Sequence, residues 1–155
     1  AMTGEQKSVR TIEQLLAEEG IYLCPTVGKS MEPLLRERRD TVQISALRAS
    51  PRRYDVVLYR REGVYILHRI VRVLKDGGYV IRGDHCLQNE YDISAGQVLG
   101  VMTAFWRGNR FVRTTDLRYR LWVRLHCALY PVRRGWHAMR ALGGRVLRRL
   151  GLCRG

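Results

Sequence analysis

The chain has 155 residues, 46% of them hydrophobic, which is enough to build one packed domain and excludes wholesale disorder. Its net charge of +14 is unevenly spread: residues 107–155 hold thirteen arginines, no lysine and one acid (Asp116), a net +12, leaving about +2 for residues 1–106. No run approaches the roughly 18 apolar residues that a membrane-spanning helix needs, and residues 1–20 are too polar for a secretory leader.

Four scattered cysteines (Cys24, Cys86, Cys127, Cys153) form no C-x-x-C pair or Cys/His cluster. They read as free thiols in a reducing compartment, with neither a metal nor a cofactor implied. Ala1 ahead of Met2 reads as a residue added for expression.

In chain order, Val9 to Glu19 is expected as a short amphipathic helix, with Ile12, Leu15 and Leu16 on one face, Val9 extending it and Gly20 as its stop. Strands are expected at Ile21–Cys24, Thr41–Ile44, Tyr54–Arg60, Val64–Leu74, Gly78–Ile81 and Val98–Trp106. Turns fall at Pro51, Glu62-Gly63, Asp76-Gly77-Gly78 and Asn109. From Leu117 the period becomes helical: Leu117, Leu121, Leu125 and Leu129 recur every four residues among arginines. Pro131 and Gly135 are expected to break this run before a second helix carrying Trp136, Met139, Leu142, Val146, Leu147 and Leu150. The fold class is therefore mainly β, with a short N-terminal helix and a C-terminal amphipathic helical extension. The expected divisions are 1–20 (N-terminal helix), 21–113 (β-domain) and 114–155 (basic helical tail).

Three residues in the β-domain have chemistry in common. Ser30 lies in Gly28-Lys29-Ser30-Met31-Glu32-Pro33, a turn between strands. His68 lies in Ile66-Leu67-His68-Arg69-Ile70, where alternation puts Ile66, His68 and Ile70 on one strand face. Asp84 follows Arg82-Gly83. A serine hydroxyl becomes a useful nucleophile when a base takes its proton and a third group orients that base. Singly, the three also suit a turn serine, a core histidine and an ordinary turn aspartate.

The ordered set Ser-Met-x-Pro, an apolar strand ending in His-Arg-Ile-Val, Gly-Asp, then Val98-Leu99-Gly100-Val101 resembles the type I signal peptidases and their relatives. That superfamily also includes the self-cleaving repressor proteases. Tyr54-Asp55-Val56-Val57 looks like the family's Gly-Asp-Val-Val strand, with Tyr54 in place of glycine. Histidine at 68, where another branch has lysine, resembles the archaeal and endoplasmic-reticulum type. The resemblance covers roughly residues 21–106. It implies a serine endopeptidase acting on a peptide or leader segment, with Ser30 as nucleophile, His68 as general base and Asp84 as orienting carboxylate. Glu90 and Asp92 stand as alternatives for the third role.

The chain departs from that pattern at Gly28, where the family often has a hydroxyl that donates to the oxyanion, leaving the Ser30 N–H and Thr26 for that role. It departs also at Lys29, at His85-Cys86, and in having no membrane anchor before the serine. Of these, Gly28 and Lys29 favour the rival reading, a protease fold retained as a binding or membrane-adaptor module, while the intact order of Ser30, His68 and Asp84 opposes it. Without an anchor the site is expected to face the cytoplasm, peripheral at the inner face of the membrane. For the tail, peripheral contact of residues 117–150 with an anionic membrane stands beside a helical hairpin covering the sheet and capture of an acidic peptide. Nucleic acid is disfavoured, since no nucleic-acid-binding fold accompanies the charge.

Overall fold

The computed structural model describes residues 10–149; Val9, Leu150, Cys153, the Ala1–Met2 pair and the side chains of Leu147, Arg148 and Arg149 lie outside the described residues. Helix α1 (Ile12–Glu19) opens on a capping box: the Thr11 hydroxyl accepts the Gln14 N–H at 3.2 Å and Gln14 Oε1 accepts the Thr11 N–H at 2.9 Å. It closes on Gly20 at φ 74°. Eight residues do not hold a helix in water by themselves. What holds α1 is Leu16, buried against the sheet where Gly100 leaves room: a Cβ at 100 would lie 2.6 Å from Ile44 Cγ2 and 3.3 Å from Leu16 Cδ1.

Eight strands follow: β1 (Ile21–Pro25), β2 (Asp40–Ala46), β3 (Val56–Arg61), β4 (Val64–Val73), β5 (Tyr79–Arg82), β6 (Glu90–Ile93), β7 (Val98–Arg107) and β8 (Arg110–Arg113). Among the described residues they form one antiparallel sheet in the order β1-β2-β7-β3-β4-β5-β6, with β8 also on β7. The protein is thus mainly β, as its β-branched runs predict. Strands β6 and β8 have no such run, and the expected strands do not include them.

Both faces of the sheet are covered. In β3 the pleat sends Val56 and Leu58 into one cluster with Met31, Leu35, Val42, Ile44, Met102 and Phe105. Val57 and Tyr59 go into a second with Ile70, Tyr79, Ile81 and Val98. Each fully buried apolar side chain contributes about 1.5–3 kcal/mol. Strand β4 alternates as predicted: Ile66 and Ile70 join the second cluster, Leu67 the first.

The tail forms α2 (Leu117–Ala128) and α3 (Tyr130–Arg149). Tyr119 and Val123 of α2 are buried on the first cluster. The expected break at Pro131 and Gly135 is corrected: the helix breaks at Leu129, and both residues lie inside α3. Pro131 is the second residue of α3, where a backbone N–H has no helical acceptor to lose. No helix among the described residues is long and apolar enough to cross a membrane.

Candidate active site

Ser30 sits half-buried in the loop from Thr26 to Arg39, between β1 and β2. Met31, Leu34 and Leu35 sink into the first cluster and anchor the loop from inside. Its base is tied by Asp40, whose fully buried carboxylate accepts the Arg36 N–H at 2.8 Å and the Arg39 guanidinium at 2.7 and 2.9 Å. Burial opposes ionisation of Asp40, but these donors outweigh it and hold the carboxyl below its usual range. The serine is therefore presented by a fixed loop.

His68 projects from β4 toward the second cluster and is only 9% exposed. Its Nδ1 lies 2.8 Å from Glu90 Oε1, and the Tyr59 hydroxyl, 3.3 Å from Nδ1, donates to the same oxygen at 2.8 Å. Glu90 Oε2 accepts Arg61 Nη1 at 3.0 Å. Burial pushes the Glu90 pKa up, yet the Tyr59 hydroxyl, His68 and Arg61 together hold it below the usual glutamate range. Burial and the neighbouring Glu90 raise the Tyr59 pKa, keeping its proton in place to donate. A carboxylate facing Nδ1 takes the N–H there, so Nε2 carries the lone pair of a base.

That lone pair faces the serine loop across Gly83. A Cβ at position 83 would lie 2.6 Å from the Ser30 carbonyl oxygen, 2.8 Å from Cys86 Sγ and 3.0 Å from His68 Nε2. Only glycine lets the two loops approach this closely. The seam is closed by the His85 N–H, which donates to the Ser30 carbonyl at 2.8 Å. Ser30 Oγ itself makes no hydrogen bond among the described residues, so the serine and base are neighbours that a substrate has still to align. Gly83→Ala is accordingly expected to separate the loops and lower any Ser30-dependent reactivity at least 100-fold, read as the rate of active-site labelling.

Asp84, expected to orient His68, does something else. It makes two 2.7 Å hydrogen bonds with Arg69 Nε and Nη2, and the pair is almost fully buried (Asp84 3%, Arg69 1% exposed). Successive residues of a strand face opposite ways. Arg69 therefore points away from the His68 face, and Asp84 follows Arg69. Glu90, at the start of β6 and paired with Ile81, arrives on the His68 side. Asp92 is exposed, at φ 64°, with no part in the cluster.

The remaining candidates are also placed. Thr26 is committed to structure, its hydroxyl donating to the Arg36 carbonyl at 2.6 Å. Gly28 stands at φ 82°, a conformation in which a side chain is strained, so this loop shape itself excludes a hydroxyl residue there. The Ser30 N–H has no acceptor among the described residues and remains available to an oxyanion. Lys29 and His85 are exposed. Tyr54, in the glycine position of its strand, adopts φ 80°, the conformation for which glycine is favoured. Cys86 borders the site, but burial raises its thiol pKa, which makes it a poor competing nucleophile.

Beside Ser30 opens an apolar cavity of about 390 Å³, bordered by Tyr22 and Cys24 of β1, Ile66 and Leu67 of β4, and Val27 and Met31 of the serine loop. Among the described residues β1 pairs only with β2, and residues 64–68 of β4 pair only with β3, since the β5 register begins at Arg69↔Arg82. Two unpaired strand edges thus flank the cavity. Sequence reasoning missed Tyr59 and Arg61, although Tyr59 shares its strand face with Val57, directly opposite His68. A scan against protein-family models matches none of them, and no curated protein matches the chain in sequence.

Proposed function

We propose that the protein is a signal-peptidase-like serine endopeptidase with Ser30 as nucleophile, His68 as general base and Glu90 as the carboxylate that orients His68. The observation that carries this reading is the chain of contacts from Glu90 Oε1 to His68 Nδ1 (2.8 Å), with Nε2 facing the Ser30 loop over Gly83. An extended peptide would add backbone hydrogen bonds to the free edges of β1 and β4 and place an apolar side chain in the cavity.

Ser30 Oγ then attacks the scissile carbonyl carbon while its proton passes to His68 Nε2. The Ser30 N–H holds the oxyanion. Collapse breaks the C–N bond, the leaving amine takes the proton from Nε2, and an ester on Ser30 remains. A water attacks that ester, gives its proton to His68 and frees the serine. Leader removal from a peptide in the cytoplasm is the setting that this reading suggests.

A second reading has one observation in its favour: with Gly28 bare and the Thr26 hydroxyl engaged, neither residue offers an oxyanion a free side-chain hydroxyl, a donor whose loss in other enzymes costs about 100- to 1000-fold. That reading makes the cavity a peptide-binding site without turnover. A fluorophosphonate probe separates the two. Labelling of the wild type that disappears in Ser30→Ala and falls steeply in His68→Ala is the expected outcome. Equal labelling of wild type and Ser30→Ala would sink the peptidase reading.

A further inference from the structure

The tail docks and then departs. Tyr130 donates to the Leu87 carbonyl, and His126 Nε2 and Arg133 Nη1 each lie 3.0 Å from the Asp84 carbonyl. Beyond Arg133, every residue from Arg134 to Val146 is exposed except Gly144, which is half-buried. On that stretch Trp136 (57% exposed), Met139 (64%), Leu142 and Val146 recur at spacings of three and four, continuing Val132. Leu117, Leu121, Leu125 and Leu129 carry the same outward stripe along α2, whose opposite face is spent on Tyr119 and Val123. Each of the two helices thus carries an apolar stripe left exposed by the domain.

Such a helix lacks means of its own. Gly135, Gly143 and Gly144 are among the poorest helix formers, and most of a helix's stability in a protein comes from packing its apolar face. The stripe calls for a surface that buries it. The charge selects which one: residues 117–149 contain nine arginines and no Asp or Glu. The same two helices of a second copy would bring the same positive charge with no acid to pair. A nucleic acid would meet the arginines and leave Trp136, Met139 and Leu142 in water. An anionic lipid surface satisfies both, taking the stripe at the acyl boundary and the guanidinium groups at the phosphates.

We propose that α3 and the outer face of α2 lie in the plane of an anionic membrane, anchoring the β-domain to it peripherally. The inference stands independently of the peptidase reading. The test is co-sedimentation of the full chain with vesicles of phosphatidylglycerol and phosphatidylcholine, against phosphatidylcholine alone. Binding to the anionic vesicles should be at least about tenfold tighter, weaken with salt and be accompanied by a gain of helix in the far-ultraviolet spectrum. The triple variant Trp136→Ser, Met139→Ser, Leu142→Ser keeps the charge and touches nothing in the β-domain, so its unfolding midpoint should be unchanged while its vesicle binding falls at least about tenfold. Undiminished binding by that variant would reduce the effect to charge alone and overturn the proposal. So would equal binding to neutral vesicles, concentration-dependent self-association abolished by the triple variant, or tighter binding to duplex DNA or RNA than to anionic vesicles.

Discussion

Glu90→Gln is expected to slow acylation of Ser30 by about 1,000- to 10,000-fold while leaving the fold intact, the loss seen when a triad carboxylate becomes an amide. The cause lies in the tautomer. The Glu90 carboxylate accepts the His68 Nδ1–H at 2.8 Å and so keeps the Nε2 lone pair aimed at the serine loop. A glutamine can donate to Nδ1, which moves the ring proton to Nε2 and turns the base into a donor. Tyr59 and Arg61 would remain to hold residue 90 in place. Folding lowers the Glu90 pKa, so its contribution to stability is full above the ordinary glutamate value of about 4.3 and drains away as pH falls through the folded-state value. Chemical denaturation between about pH 5 and pH 3 should therefore show a shallower loss of stability in Glu90→Gln than in wild type. An unchanged labelling rate in Glu90→Gln would remove Glu90 from the catalytic set.

Asp84→Ala is expected to act on stability, at about 3–5 kcal/mol, because it strands a buried guanidinium. Arg69 is 1% exposed and gives Asp84 both of its 2.7 Å bonds; its Nη1 also reaches the Tyr54 carbonyl at 2.8 Å and the Tyr119 hydroxyl at 3.2 Å. Burial alone would lower the Arg69 pKa, but Asp84 more than offsets this, so the guanidinium stays charged. Loss of Asp84 thus loosens the turn behind Ser30 and the seat of α2 together. The double variant Arg69→Met, Asp84→Leu replaces the pair by apolar groups and should recover most of the stability. Denaturant midpoints of the three proteins check this. Comparable stability of Asp84→Ala and wild type, with labelling lost, would return Asp84 to the role of orienting His68.

The contrast between Asp84 and Glu90 shows what a sequence of this kind displays. Alternation in Ile66-Leu67-His68-Arg69-Ile70 placed the histidine face correctly, and the β-branched runs placed six of the strands. Which carboxylate meets which strand face depends on the path of residues 83–89, and local pattern does not encode that path. Glu90 opens a strand of sequence Glu-Tyr-Asp-Ile that is exposed at two of its four residues, so it carries little hydrophobic signal. One clue was present: an arginine beside the histidine on a covered strand must face an acid if it is buried, and Asp84 is the acid that meets it.

The tail was legible in its period but not in its join. Pro131 reads as a helix breaker in sequence, yet at the second position of α3 it starts the helix. The close approach at Gly83 has no sequence signature at all, because it is a contact between loops more than fifty residues apart.

The central claim is that this cavity and its serine hydrolyse peptide bonds, and product analysis tests it most directly. Incubation of the full chain with a diverse library of unstructured peptides, read by mass spectrometry, should show wild-type cleavage focused at sites where an apolar side chain can enter the cavity beside Ser30. The same digest with Ser30→Ala should be silent. Cleavage that is identical with and without the serine, or a wild type that binds library peptides and cuts none, would contradict the account.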